Sequence, residues 1–178
     1  MSARPLVCVM GVSAAGKSTV GTALAAVLGV PFADADELHP AANTRKMASG
    51  VPLTDDDRWG WLDAVGESLR AHRGDGLVMA CSALRRVYRD RIRTAEPEVV
   101  FVHLDGSREL LETRARARAD HFMPAGLLAS QLDTLEPLDD DESGFSADIA
   151  TPPEALAAVI AGRLRDPAAT RTSRMPRP

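Results

Sequence analysis

The junction near the start of this chain constrains it most: the apolar run Leu6-Val-Cys-Val-Met10 breaks straight into Gly11-Val-Ser-Ala-Ala-Gly16-Lys17-Ser18. A short unbroken apolar run suits a strand covered on both faces. The helix formers and spaced apolar residues from Ser18 to Leu28 predict a helix behind the loop, stopped at Gly29. The loop between them fits the pattern G-x-x-x-x-G-K-[ST] in full. Backbone N–H groups leading into a helix N-terminus surround anionic oxygens with donors and the positive end of a dipole. Gly11, Val12, Ser13, Ala14, Ala15, Gly16, Lys17, Ser18 and Thr19 are therefore read as a site for the phosphates of ATP. In that pattern Lys17 reaches the β- and γ-phosphates and the Ser18 hydroxyl ligates Mg2+. Ala14 and Ala15 make the loop less permissive than glycine would, because alanine resists positive φ.

Further along, strands are expected at 31–34, 77–81, 99–104 and 145–149. They alternate with helices expected at 41–49, 54–73, 85–94, 107–119 and 125–133. Thr54-Asp-Asp-Asp57 has the form of an N-cap with acids in the first turn, and Leu62, Val65 and Leu69 then face inward. At the last helix Thr151 is expected to cap, Pro152 to take the first helical position, and Glu154 to close a capping box. The alternation predicts an α/β fold, a parallel sheet of about five strands with helices on both faces. A length of 178 residues fits one domain. That domain is expected at 1–166, and the polar, Pro- and Arg-containing tail 167–178 is expected to be disordered.

Composition narrows the partners. A formal net charge of −4 argues against a general nucleic-acid binder, which needs a basic surface to displace phosphate counterions. No stretch approaches the roughly 20 apolar residues of a membrane span. The apolar run after Arg4 is too short for a secretory leader, so a cytoplasmic setting is expected. Cys8 and Cys81 fall inside apolar runs and are read as buried free thiols. Of the 21 basic residues only Lys17 and Lys46 are lysine, which marks them as places where a compact charge on a flexible stem is wanted.

Two further clusters carry candidate chemistry. Asp34-Ala-Asp36-Glu-Leu-His39-Pro40 follows a predicted strand, at the edge where open α/β sheets bind ligands. Asp34 is a candidate for the Mg2+ shell, and Asp36 for taking a proton from a substrate hydroxyl or orienting it. A solvated loop with an N-capping Asp is the plainer alternative. Arg114 and Arg118 lie four apart on a predicted helix and are candidates to clamp a transferring phosphoryl group on a lid, or else form a solvated basic face. After the predicted strand 77–81 comes Ser82 rather than an acid, which argues against a motor ATPase or GTPase. Trp59 and Trp61, two apart on a helix, cannot both face one side; His72 is read as a surface residue and His103 as a satisfied strand residue.

With these parts in hand, the chain resembles the gluconate kinases of the P-loop type, over about residues 6–160. The resemblance runs through Asp34-Ala-Asp-Glu-Leu-His-Pro40, Asn43-Thr-Arg-Lys-Met47, Gly50-Val-Pro-Leu-Thr-Asp55 and Asp57-Arg-Trp-Gly-Trp-Leu62. It continues through Cys81-Ser-Ala-Leu-Arg-Arg86, Tyr88-Arg-Asp90, Arg118-Ala-Asp-His-Phe122 and Ser130-Gln-Leu-Asp-Thr-Leu-Glu136. It implies a P-loop kinase fold like that of shikimate and nucleoside monophosphate kinases, with a mobile lid at about 118–135, and commonly a homodimer. The implied activity is transfer of the γ-phosphoryl of ATP to the 6-hydroxyl of D-gluconate. By the same likeness Asp36, His39, Lys46, Arg58, Arg85, Arg89 and His121 are candidates to hold the sugar acid, and Lys17, Asp36 and Arg118 to act in catalysis. A carboxylate wants Lys or Arg, and a polyol wants carboxylate and imidazole partners. The chain departs from the family at Ala14-Ala15, where Gly-Ser is usual, and at Ala35 and Asp120, where glycine is usual.

Overall fold

A computed structural model describes residues 4–118 and 125–166 of the chain. The strands are β1 (Leu6–Met10), β2 (Phe32–Asp34), β3 (Leu77–Ala80), β4 (Val100–Asp105) and β5 (Gly144–Asp148). The helices are α1 (Lys17–Leu28), α2 (Ala41–Ala48), α3 (Asp55–Ala71), α4 (Arg86–Ala95), α5 (Arg108–Ala117), α6 (Ala125–Thr134) and α7 (Pro153–Leu164). The strands form one sheet in the order β2-β3-β1-β4-β5. Every pairing is parallel, with Cys8 beside Met79 on one side of β1 and beside Phe101 on the other. Their C-terminal ends therefore share one edge of the sheet, where the crevice of such folds lies.

Alternation along β1 divides the core. Val7 and Val9 face a layer made with Val20, Leu24, Leu156 and Ile160, where α1 packs on α7. Cys8 and Met10 face the opposite layer, built with Leu62, Val65, Leu69 and Ile92, where α3 packs on α4. Both cysteines are free and buried, as expected of thiols inside apolar runs. α3 opens with the expected cap: the Thr54 side chain accepts from the Asp57 N–H, and the Asp57 side chain accepts from the Thr54 N–H at 2.7 Å. Such a box satisfies two N–H groups that a bare helix end leaves without partners.

The last helix begins one residue later than its sequence suggests. Pro152, not Thr151, is the cap residue, with φ −55° and ψ 145°, and no side chain closes a box. The cause is Pro153: a residue that precedes proline is driven out of the helical region by its Cδ. The loop 35–38 is instead a turn of 3-10 helix, Ala35–Leu38, capped by the Asp34 side chain.

Candidate functional site

The loop after β1 has the backbone that its pattern requires. Gly11 has φ 148° and Gly16 φ 90°, and a Cβ on Gly11 would stand 3.1 Å from the Leu104 carbonyl oxygen. Ala14 also lies in the left-handed region, at φ 65°. There an L side chain crowds its own carbonyl, at a cost of about 1–2 kcal/mol. Ala15 and Ala35 keep negative φ, so alanine suits both. Ala35 is moreover fully buried, and its carbonyl accepts from Trp61 Nε1 at 2.6 Å.

Lys17 starts α1 and folds back over the loop, its Nζ donating to the Val12 carbonyl at 3.0 Å. Burial pushes its ammonium below the ordinary value, Asp36 and Asp34 pull it back up, and Arg118 adds to the lowering. These charges therefore share one electrostatic neighbourhood. Ser18 Oγ donates to Asp34 Oδ2 at 3.0 Å, while Asp34 Oδ1 accepts from the Asp36 N–H at 3.0 Å. Asp34 is thus both a cap and the partner of the loop hydroxyl. One hydroxyl and one carboxylate side by side suit Mg2+, which keeps most of its water and takes few protein oxygens. Burial, then the charge of Asp34, raises the Asp36 carboxyl above its ordinary value, against the pull of His39 and Lys17. His39 stacks on Trp61 with ring centroids 4.2 Å apart, and burial holds its imidazole below the ordinary value.

Beyond His39 a cleft of about 510 Å³ opens between the starts of α3 and α4 on one side and α6 on the other. Arg58 and Arg85 line it, joined through Asp55 and Tyr88. Arg85 Nη1 donates to Asp55 Oδ2 at 2.8 Å, and Tyr88 Oη donates to Asp55 Oδ1 at 2.5 Å. Arg58 lies 3.7 Å from the same carboxylate. The Tyr88 hydrogen bond, ahead of the two arginines, holds the Asp55 carboxyl below its ordinary value. Asp55 and Tyr88 were missed as site residues, because Asp55 is fully accounted for in the sequence as a first-turn acid. Trp61 is buried, and Trp59 lies on the outer side with Arg91 over its ring.

Arg89 does not belong to this cleft. It has no exposed surface, and its Nε and Nη2 donate to Glu142 at 2.7 and 2.8 Å. Nη1 serves the carbonyls of Ala83, Leu84 and Glu136, and Nη2 also serves Pro137. A guanidinium has five N–H donors, so none is left for a sugar acid. Its work is to clamp the segment 136–142 to α4. Glu136, at the near end of that segment, accepts from the Arg86 N–H at 2.6 Å and stands 3.5 Å from Arg85 in the cleft.

Lys46 donates to Asp57 Oδ2 at 2.5 Å, and so carries a partner already. Arg114 and Arg118 are not both inside a helix: α5 ends at Ala117, Arg118 is its C-cap with ψ 80°, and Arg114 Nη2 donates to the Ile149 carbonyl at 2.6 Å. His72 bonds the Ser68 carbonyl at 2.8 Å, and His103 is buried with Ser146 Oγ at 3.5 Å. His121, Asp120 and the tail lie outside the described residues, as does part of the expected lid. Among the described residues no helix is long and apolar enough to cross a membrane.

A phosphate-binding loop on the central strand of a five-stranded parallel sheet, opening towards an arginine-lined cleft, defines a P-loop small-molecule kinase. The family model described as shikimate kinase matches residues 13–126, and a gluconokinase of Gluconobacter oxydans is 51% identical over 136 residues, 75% of this chain and 76% of that one. The chain belongs to the gluconokinase family. A gluconokinase of Arabidopsis thaliana is 40% identical over 170 residues, 87% of this chain and 89% of that one. The crystal structure of a gluconokinase from Sinorhizobium meliloti superposes with a TM-score of 0.78 at 44% identity, covering 91% of this chain and 96% of that one. ATP is the phosphoryl donor that this kinase family implies.

Proposed function

We propose that this enzyme transfers the γ-phosphoryl of ATP to the 6-hydroxyl of D-gluconate, giving 6-phospho-D-gluconate and ADP. One observation carries the reading: the Lys17 loop, the Asp36 carboxyl and the Arg58–Asp55–Arg85 cluster stand in sequence along one sheet edge, in a chain whose relatives at 40–51% identity are gluconokinases. In the reaction the substrate oxygen bonds to γ-phosphorus, the bond to the bridging oxygen of ADP breaks, and the hydroxyl proton passes to Asp36. Catalysis of this kind is mostly positioning and charge stabilisation. Lys17 and Arg118 are assigned to the transferring phosphoryl group, and Arg114 to the nucleotide. Asp36, His39 and His121 are assigned to the polyol. Of the cations expected at the acid end, Arg58 and Arg85 line the cleft, whereas Lys46 is paired with Asp57 and is not part of its lining.

Ser18 and Asp34 are the pair that would hold Mg2+, which when bound neutralises charge on the phosphates. The domain is read as 1–166, working in the cytoplasm as a homodimer. A coupled assay of ADP release with D-gluconate, shikimate and nucleoside monophosphates tests the assignment. Saturable turnover is expected with gluconate and lost in Lys17→Ala. Turnover on another acceptor with none on gluconate overturns it.

A further inference from the structure

Helix α6 carries one polar residue on its inward stripe. Leu128, Leu132 and Leu135 recur at i, i+4 and i+7, and they join the cluster that holds Val12 and Ala15 of the phosphate loop. Gln131 shares that stripe. Its Oε1 accepts from the Ser13 N–H at 2.6 Å, across 118 positions of sequence. The helical ladder carries on beneath it, since the Leu135 N–H donates to the Gln131 carbonyl at 2.9 Å. The opposite stripe, with Ser130, Asp133 and Thr134, lines the cleft that holds Arg58 and Arg85, and Leu135 at the helix end reaches both. One face of α6 therefore touches the nucleotide loop, and the other walls the acceptor site.

We propose that Gln131 is a positioning residue that couples nucleotide occupancy to acceptor binding; this rests on the gluconate kinase reading of the cleft. With Oε1 committed to Ser13, the carboxamide presents its N–H2 donors at the rim of the phosphate loop, chemistry suited to a phosphate oxygen. Nucleotide that fixes the loop then fixes Gln131, and with it the wall formed by Asp133 and Thr134. A helix wedged between two ligands moves as a unit, so each ligand prepares the site of the other. Linkage makes the effect reciprocal: the acceptor tightens nucleotide by the same factor.

The test uses the full chain and two variants. Gln131→Met keeps side-chain length and packing but removes the hydrogen-bonding group; Gln131→Glu brings a carboxylate against the phosphates. D-gluconate is titrated calorimetrically with and without a non-hydrolysable ATP analogue and Mg2+. In the wild type the analogue is expected to tighten gluconate about fivefold, the scale of one neutral hydrogen bond. In Gln131→Met that ratio falls to about one, while gluconate affinity without nucleotide stays put. In Gln131→Glu the KM for ATP rises more than the KM for gluconate. A ratio in Gln131→Met equal to that of the wild type overturns the coupling, as does a wild-type ratio of one. Absence of gluconate binding by the wild type overturns the acceptor reading and the coupling with it.

Discussion

The Arg89 guanidinium and the Glu142 carboxylate meet at two points, Nε to Oε1 at 2.7 Å and Nη2 to Oε2 at 2.8 Å, with neither side chain exposed. Burial alone would raise the Glu142 carboxyl, but the bonds from Arg89, the Asp139 N–H and Arg93 outweigh it and hold it below its ordinary value. Removing one member of such a pair leaves a buried charge without compensation, at about 3–5 kcal/mol. Arg89→Met is expected to lose stability on that scale in urea unfolding, and Arg89→Met with Glu142→Met to recover only part of it, since the carbonyls of Ala83, Leu84, Glu136 and Pro137 stay without their donor. A loss of gluconate affinity at unchanged stability would return Arg89 to the substrate.

Asp36 is expected to act on the chemical step. Asp36→Asn should cut kcat by about 100-fold or more, the usual contribution of a positioned base, and leave ATP affinity nearly unchanged. Because burial and Asp34 raise its carboxyl above 3.8, the base form should be lost on the acid side at a pH above the ordinary carboxylate value. Steady-state rates against pH check both points. An unchanged kcat, or an acid limb that persists in the variant, would remove Asp36 from the role of base.

Ala14→Gly is expected to stabilise the chain. Release of a left-handed alanine returns about 1–2 kcal/mol, and the extra freedom of glycine in the unfolded chain takes back about 0.4–1 kcal/mol. The net gain is between about 0 and 1.6 kcal/mol, centred near 0.8 kcal/mol, read as a higher urea midpoint. A lower midpoint would mean that the φ of 65° costs nothing here.

The Lys46–Asp57 contact makes an acid-sensitive prediction. The Lys46 bond, ahead of those from the Thr54 N–H and hydroxyl, holds the Asp57 carboxyl down at about 2. A depressed carboxyl stabilises the fold above its unfolded value of about 3.9, and the contribution is lost as pH falls through the folded value. Stability of the wild type should therefore drop more steeply between about pH 4 and pH 2 than that of Asp57→Asn. Parallel curves over that window would show that the contact adds nothing.

Strands β1, β3 and most of β4 were legible as apolar runs, the phosphate loop by its two glycines and α3 by its cap at Thr54, whereas β2 and β5, with Asp34, Ser146 and Asp148, are less apolar. Ala14 was legible too, as a residue ill suited to its place. Arg89 was not. A resemblance records that an arginine stands there, whereas its direction depends on carbonyls at 83, 84, 136 and 137 that only the fold gathers. The end of α5 was misjudged for a related reason, since periodicity carried the helix past Ala117, where the backbone leaves it. Gln131 gave a faint signal, one amide in a leucine stripe, but its partner is at the other end of the chain.

Alternation along a single strand has an evolutionary corollary. Val7 and Val9 answer to the helices behind the nucleotide, whereas Cys8 and Met10 answer to those that shape the acceptor cleft. The sheet works as a bulkhead between two packing layers, so the layer under α3 and α4, which carry Arg58 and Tyr88, can be repacked without disturbing the layer under α1 and α7. A sequence that matches a shikimate kinase family model yet sits among gluconokinases is what such a partition permits.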